Sequence, residues 1–247
     1  MDLGLSGRAY VVTGGSRGLG LATARVLVAE GARVVLAARD PERVQRAADE
    51  LGAVGVVADL SDPAAGPRLV AAAQEAYGRL DGALVSVGGP PGGTALGSTD
   101  AQWSAAFDSV LLGALRLTRA VVPALPEGEG SLAYVLSTSV KSPIAGLAIS
   151  NGLRPGLGML AKTLADELGP QGVRVNGLLP GRIDTDRVRE LDGDDPDTVA
   201  RASAGIPLRR YGAPEEFGRV AAFVLSPAAS YVSGAMVAVD GGAVRAL

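Results

Sequence analysis

The chain contains no cysteine and no histidine. Without Cys there are no disulfides, no thiolate nucleophile and no Cys-ligated zinc. Without His the commonest general base, the commonest metal ligand and every Ser-His-Asp triad are excluded. Aromatic residues are scarce at 4%, and lysine occurs only at Lys141 and Lys162. No apolar run is long enough to span a bilayer, and the N-terminus lacks a charged-then-apolar signal, so a soluble cytoplasmic protein with no membrane partner is expected. The net charge of -3 offers no basic footprint, so no nucleic-acid partner is expected.

What remains is rich in core-forming residues. Of 247 residues, 47% are hydrophobic and 20% charged, which argues against disorder. The 35 Gly and 15 Pro are scattered and read as turns. Short β-branched runs alternate with longer amphipathic stretches. Strands are predicted at Arg8–Thr13, Ala32–Ala37, Val54–Ala58, Ala83–Val87, Leu132–Leu136, Val173–Leu179 and Ala235–Val239. Helices are predicted at Arg17–Glu30, Pro41–Leu51, Asp62–Tyr77, Thr99–Leu125, a segment ending near Leu168, and Pro214–Leu225. This alternation predicts one α/β domain over residues 1–247, with a doubly wound parallel sheet of about seven strands. Arg182–Gly205 has the least pattern and reads as a flexible flap or a surface excursion.

The first strand runs directly into Thr13-Gly14-Gly15-Ser16-Arg17-Gly18-Leu19-Gly20. Glycines at a strand-to-helix turn let backbone amides approach a pyrophosphate. The spacing, G-x-x-x-G-x-G after Thr, differs from the G-x-G-x-x-G fingerprint.

That spacing resembles the short-chain dehydrogenase/reductase family, and further landmarks extend the resemblance over the whole chain. They are Asp59-Leu60 after the third strand, Asn176, Pro180-Gly181, Ile183-Asp184-Thr185 and Gly234…Asp240-Gly241-Gly242. The resemblance implies a Rossmann-type fold and a nicotinamide dinucleotide cofactor. The cofactor positions it implies are Gly14, Ser16, Arg17, Gly18, Leu19, Gly20, Arg39, Asp59, Leu60, Gly88, Arg154, Pro180, Gly181, Ile183 and Thr185. Asp59 would hold the adenine edge, Thr185 the carboxamide, and Pro180-Gly181 would line the ring. An acid after the second strand would select the ribose 2′-hydroxyl. Here Ala37-Ala38-Arg39 has none, and Arg17 lies in the turn. Two guanidiniums suit a 2′-phosphate, which implies NADP(H) over NAD(H). The alternative is that Arg39 pairs with Asp40 or Glu42 in solvent.

The family's catalytic Asn, Ser and Tyr-x-x-x-Lys are mostly missing. Counting back from Leu164–Gly169, Tyr falls on Ser150 and Lys on Arg154. The Asn position falls on Val110. The Ser is sought in Ser137-Thr138-Ser139, where Ser139 fits by its following Val140 and Ser137 by its separation from Ser150. Ser139, Ser150 and Arg154 are therefore the catalytic candidates. An aliphatic hydroxyl is a weak acid and a guanidinium stays protonated, so proton transfer is handicapped. Pro155 implies that the helix either starts late or kinks, moving Ser150 relative to Arg154.

Lys141 reads as a solvated loop residue, Tyr134 as a core aromatic, and Asp192–Asp197 as a solvated loop without Ca²⁺-site spacing. Trp103 and Phe107 read as packing, with a subunit contact possible on the family pattern of a tetramer or dimer. The favoured reading is an NADP(H)-dependent oxidoreductase acting on a small carbonyl substrate, a ketone or 3-oxoacyl compound by family default, with an atypical site. The alternative is a weakly active or inactive dinucleotide-binding sensor or oligomer partner. An isomerase, lyase or epimerase on the same scaffold is a third.

Overall fold

The computed structural model describes residues 2–193 and 195–246. Seven strands form one parallel sheet: β1 (Ala9–Thr13), β2 (Arg33–Ala38), β3 (Val54–Val57), β4 (Gly82–Ser86), β5 (Gly130–Val135), β6 (Val173–Pro180) and β7 (Met236–Val239). Their order is β3-β2-β1-β4-β5-β6-β7. The chain leaves β1 for one edge, returns to β4 on the other side of β1, and proceeds to the far edge. That reversal opens a crevice at the carboxyl ends of β1 and β4, where open α/β sheets bind ligands.

The helices between strands cover both faces, which is why the central strands are apolar throughout rather than alternating. Val11 faces a core built with α3 (Ala65–Tyr77), α5 (Gly113–Val121) and α6 (Ala148–Leu168). Tyr10 and Val12 face the other core, built with α1 (Gly18–Ala29), α2 (Pro41–Leu51) and α9 (Pro214–Leu225). Local chemistry sets several ends. Asp40 caps α2 by accepting from the Arg43 N–H at 3.0 Å, with Pro41 in the first turn and left-handed Gly52 after the last.

Three expectations change. The long helix expected at Thr99–Leu125 is α4 (Asp100–Ala106), a π-helical stretch (Phe107–Leu112), α5 and a closing 3₁₀ turn (Val122–Ala124). Val110, the expected Asn position, is buried in the π stretch. The segment Arg182–Gly205 carries α7 (Asp186–Asp192) and α8 (Pro196–Ala204). Asp195 caps α8 by accepting from Asp197 and Thr198 N–H groups, and Asp194 lies outside the described residues. Pro155 does not delay its helix, since α6 begins at Ala148 and runs through it to Leu168. The proline removes only the N–H that would have bonded the Asn151 carbonyl. The Asn151 side chain meanwhile ties the helix start to Ile144, through bonds of 3.0 and 2.8 Å. Among the described residues no helix is long and apolar enough to cross a membrane.

Candidate active site

The crevice is a cleft of about 1130 Å³ along the strand ends. At the switch point Thr13 Oγ1 donates to the Ser86 carbonyl at 2.9 Å and accepts from the Ser86 N–H at 2.8 Å, stitching β1 to β4. The glycine turn follows. Gly18 has φ +55°, a left-handed conformation costly for residues with a Cβ. A Cβ on Gly20 would lie 2.3 Å from the Gly14 carbonyl oxygen, so only glycine allows helix and turn to meet there. No side chain caps α1, and Gly18, Leu19 and Gly20 line the cleft. Uncapped first-turn N–H groups and the helix dipole make this wall favourable to an anion.

At the end of β2, Arg39 and Arg43 line the cleft. Arg39 is exposed, and among the described residues it forms no ion pair. Asp40, its expected solvent partner, caps α2 and lies 3.2 Å from Arg43 Nε. Arg17 also lines the cleft, but it is engaged across it: its Nη1 lies 3.5 Å from both Asp186 and Glu190 of α7. The pairing of Arg17 with Arg39 on one phosphate, expected from sequence, therefore competes with these two carboxylates. Asp59 lines the cleft beside Leu60, its Oδ1 accepting from the Ser61 N–H and Oγ. Gly88 lines the loop after β4. Pro180, Gly181, Ile183 and Thr185 form the opposite wall. Thr185 approaches the turn so closely that a Cβ on Gly18 would meet its Cγ2 at 3.6 Å.

The inner end is formed by α6 and the end of β5. Ser150 and Arg154, one turn apart, are 7% and 6% exposed, and both line the cleft. Arg154 donates to the Val135 carbonyl at 2.6 Å and to the Val87 carbonyl at 3.4 Å. Burial, with the nearby charge of Arg187, pushes its pKa down to about 10. It remains a cation at neutral pH.

The serine assignment changes. Ser137 and Thr138 line the cleft, and Ser139 does not. Ser137 Oγ accepts from the Ser139 N–H at 3.1 Å and starts a 3₁₀ turn (Thr138–Val140). That turn rotates successive side chains by about 120°, and Ser139 points into the protein, 4% exposed. Among the described residues its Oγ has no hydrogen-bond partner. Val140, the residue that favoured Ser139 in the sequence, packs toward Gly158 of α6.

Among the described residues no tyrosine or lysine lines the cleft. Tyr134 lies in the core, its hydroxyl 2.5 Å from Thr118 Oγ1 and its pKa pushed up to about 12 by burial. The sequence also missed Arg187, which lines the cleft and donates to the Pro90 carbonyl at 2.7 Å. Its only sequence signal was a place two residues after Thr185 in the least patterned segment.

A parallel sheet with a central order reversal, and a glycine turn opening its first helix at that point, define a Rossmann-type α/β fold. A family model described as enoyl-(acyl carrier protein) reductase matches residues 14–244. The rabbit (Oryctolagus cuniculus) dehydrogenase/reductase SDR family member 4 is 35% identical over 97% of this chain and 94% of that protein. The chain belongs to the short-chain dehydrogenase/reductase family. Among solved structures, L-sorbose reductase from Gluconobacter frateurii, complexed with NADPH and L-sorbose, superposes with a TM-score of 0.93 at 30% identity, covering all of both chains. A short-chain oxidoreductase from Pseudomonas aeruginosa PAO1, described as containing an atypical catalytic center, superposes at 0.91 with 29% identity, again over all of both chains.

Proposed function

We propose that this protein is an NADPH-dependent reductase of small carbonyl compounds whose active site works without the family's tyrosine and lysine. One observation carries the reading. A glycine turn with an uncapped helix start and a buried, desolvated guanidinium stand at the two ends of one cleft. The first suits a diphosphate. The second supplies positive charge where a carbonyl oxygen would gain electrons.

The residues present fit a nicotinamide dinucleotide. The turn carries glycine where a Cβ would strike Ser86, Leu36 or the Gly14 carbonyl, which keeps it tight, and Arg39 and Arg43 stand just beyond β2 where the 2′ substituent is read. Arg39 would favour a 2′-phosphate, hence NADP(H). Asp59 would hold the adenine edge, and Thr185 with Pro180-Gly181 the carboxamide and ring. Arg154 would reach a ribose hydroxyl. When bound, the reduced cofactor supplies a hydride.

This chain's own residues then have three tasks. Ser137 already uses its Oγ lone pair on the Ser139 N–H, so its hydroxyl hydrogen is available to a carbonyl oxygen. Ser150 offers a second donor from the helix face. The Arg154 charge stabilises the alkoxide as it forms, and water delivers the proton. Losing a matched phenol acid costs on the order of 10²–10⁴ in rate. The proximity of the NADPH complex of L-sorbose reductase and of an oxidoreductase with an atypical catalytic center supports this reading.

The absence of tyrosine and lysine from the described cleft favours a second reading, a dinucleotide sensor without turnover. Fluorescence titration with NADPH and NADH, followed by a carbonyl screen, separates the two. Tight NADPH binding with turnover supports the reductase. Tight binding with no turnover on any carbonyl supports the sensor. No binding of either cofactor refutes both. Residues 182–205 are proposed as the flap over the substrate. A homo-oligomer is proposed on the family pattern, with exposed Phe107 and Met159 as contact candidates, and gel filtration checks it.

A further inference from the structure

We infer that the inner end of the cleft is built for a carbonyl substrate that also carries a carboxylate, with Arg187 as the residue that selects it. The inference rests on the reductase reading and names its substrate class. Arg187 rises from α7, lines the cleft and reaches the loop after β4, where its Nη2 donates to the Pro90 carbonyl at 2.7 Å. That loop presents glycine to it: a Cβ on Gly89 would lie 3.0 Å from the Arg187 Nε. Arg154 faces the same cleft from α6, and the two cations are close enough that Arg187 adds to the depression of the Arg154 pKa.

No carboxylate that lines the cleft pairs with either guanidinium. The acids that line the cleft are Asp40, Asp59 and Asp186. Asp40 caps α2 and meets Arg43, Asp59 accepts from Ser61, and Asp186 faces Arg17. Glu190 lies 3.7 Å from Arg187, but it is shared with Arg17 and does not line the cleft. The inner end thus holds two guanidiniums beside the hydroxyl-bearing Ser137, Thr138 and Ser150. A ribose hydroxyl bound to Arg154 would be neutral and would leave the charge excess in place. In a partly desolvated cleft that excess acts strongly on an anion. A carboxylate fits because its two oxygens match the planar fork of a guanidinium. Arg187 can exchange its hydrogen bond to Pro90 for such a pair while Glu190 stays beside its other amino group, and Arg154 stays fixed to the Val135 and Val87 carbonyls.

The test uses acetoacetate and levulinate against their methyl esters. Binding is measured by calorimetry on the full chain, with and without saturating NADPH. The better acid is expected to bind about tenfold or more tightly than its ester. Arg187→Met should bring that ratio close to one. Arg187→Lys, which keeps the charge and loses the fork, should retain part of it, and melting curves report whether each variant is folded. Acids that bind no better than esters, no detectable binding of either acid, or a ratio unchanged in folded Arg187→Met would each overturn the proposal. NADPH titration is scored separately. Its failure would remove the reductase reading, whereas the acid preference without cofactor judges Arg187 by itself.

Discussion

Replacing Arg154 by methionine should cost catalysis far more than stability. The guanidinium is 6% exposed and, among the described residues, has no carboxylate partner. Its pKa falls well below the usual arginine range to about 10, with burial the leading cause and Arg187 the second. A depression of that size corresponds to about 3 kcal/mol by which the folded state disfavours the cation at neutral pH. Methionine keeps much of the stem's packing and removes that cost. It also orphans the Val135 carbonyl, now bonded at 2.6 Å, which costs about 1–3 kcal/mol. The two effects nearly cancel, so the variant should melt within a few degrees of wild type.

Stability also depends on pH through Arg154. Above pH 10 the folded state releases the Arg154 proton while the unfolded chain still holds it, so the unfolded state binds more protons and stability rises with pH. Wild type should therefore gain stability relative to Arg154→Met as pH climbs from about 9 to 11, a comparison in which other titrating groups cancel. Meanwhile kcat/KM should fall by on the order of 10²–10³, the usual loss when a group stabilising a developing oxyanion is removed. Urea melts across pH and steady-state kinetics measure both. A variant that loses more than about 4 kcal/mol, a flat pH difference, or unchanged kcat/KM would refute the reasoning.

Three further outcomes follow from the geometry. Ser137→Ala should lower kcat about tenfold or more, whereas Ser139→Ala should leave kcat unchanged and stabilise by up to about 1 kcal/mol by removing an orphaned hydroxyl. The reverse pattern in kinetics and melting would restore Ser139 to the site. Arg39→Asp should shift cofactor selection from NADPH toward NADH, read by fluorescence titration, and no change in either affinity would remove Arg39 from cofactor selection. Gly20→Ala places a Cβ against the Gly14 carbonyl, so NADPH affinity should drop by about tenfold or more, and unchanged affinity in the titration would show that the turn does not grip the cofactor.

Much of the architecture was legible because the signals are local. Pro41–Leu51 and Pro214–Leu225 match the observed helices end to end. In each, proline in the first turn marks the start, and local capping chemistry acts over a few residues. The strands were found to within one or two residues, since burial on both faces leaves continuous β-branched runs. The π stretch at Phe107–Leu112 was not legible, because no glycine or proline marks a change of hydrogen-bond register inside an apolar helix. The helices in 182–205 were missed because they are short and weakly patterned.

The same division runs through the site. The amino-acid order alone determined the parallel sheet and the glycine turn, since each follows from periodicity or from one residue's freedom at the backbone. It also set the chemistry that is missing: no imidazole, no thiol, and no phenol or ammonium at positions 150 and 154. Folding decided which serine meets the cleft, because one 3₁₀ turn separates Ser137 from Ser139. It also decided that Arg17 is engaged by α7, and that Arg154 and Arg187 converge from elements distant along the chain. Side chains brought together by long-range packing leave no spacing in the sequence, and electrostatic coupling depends on distance and burial that only the folded chain defines.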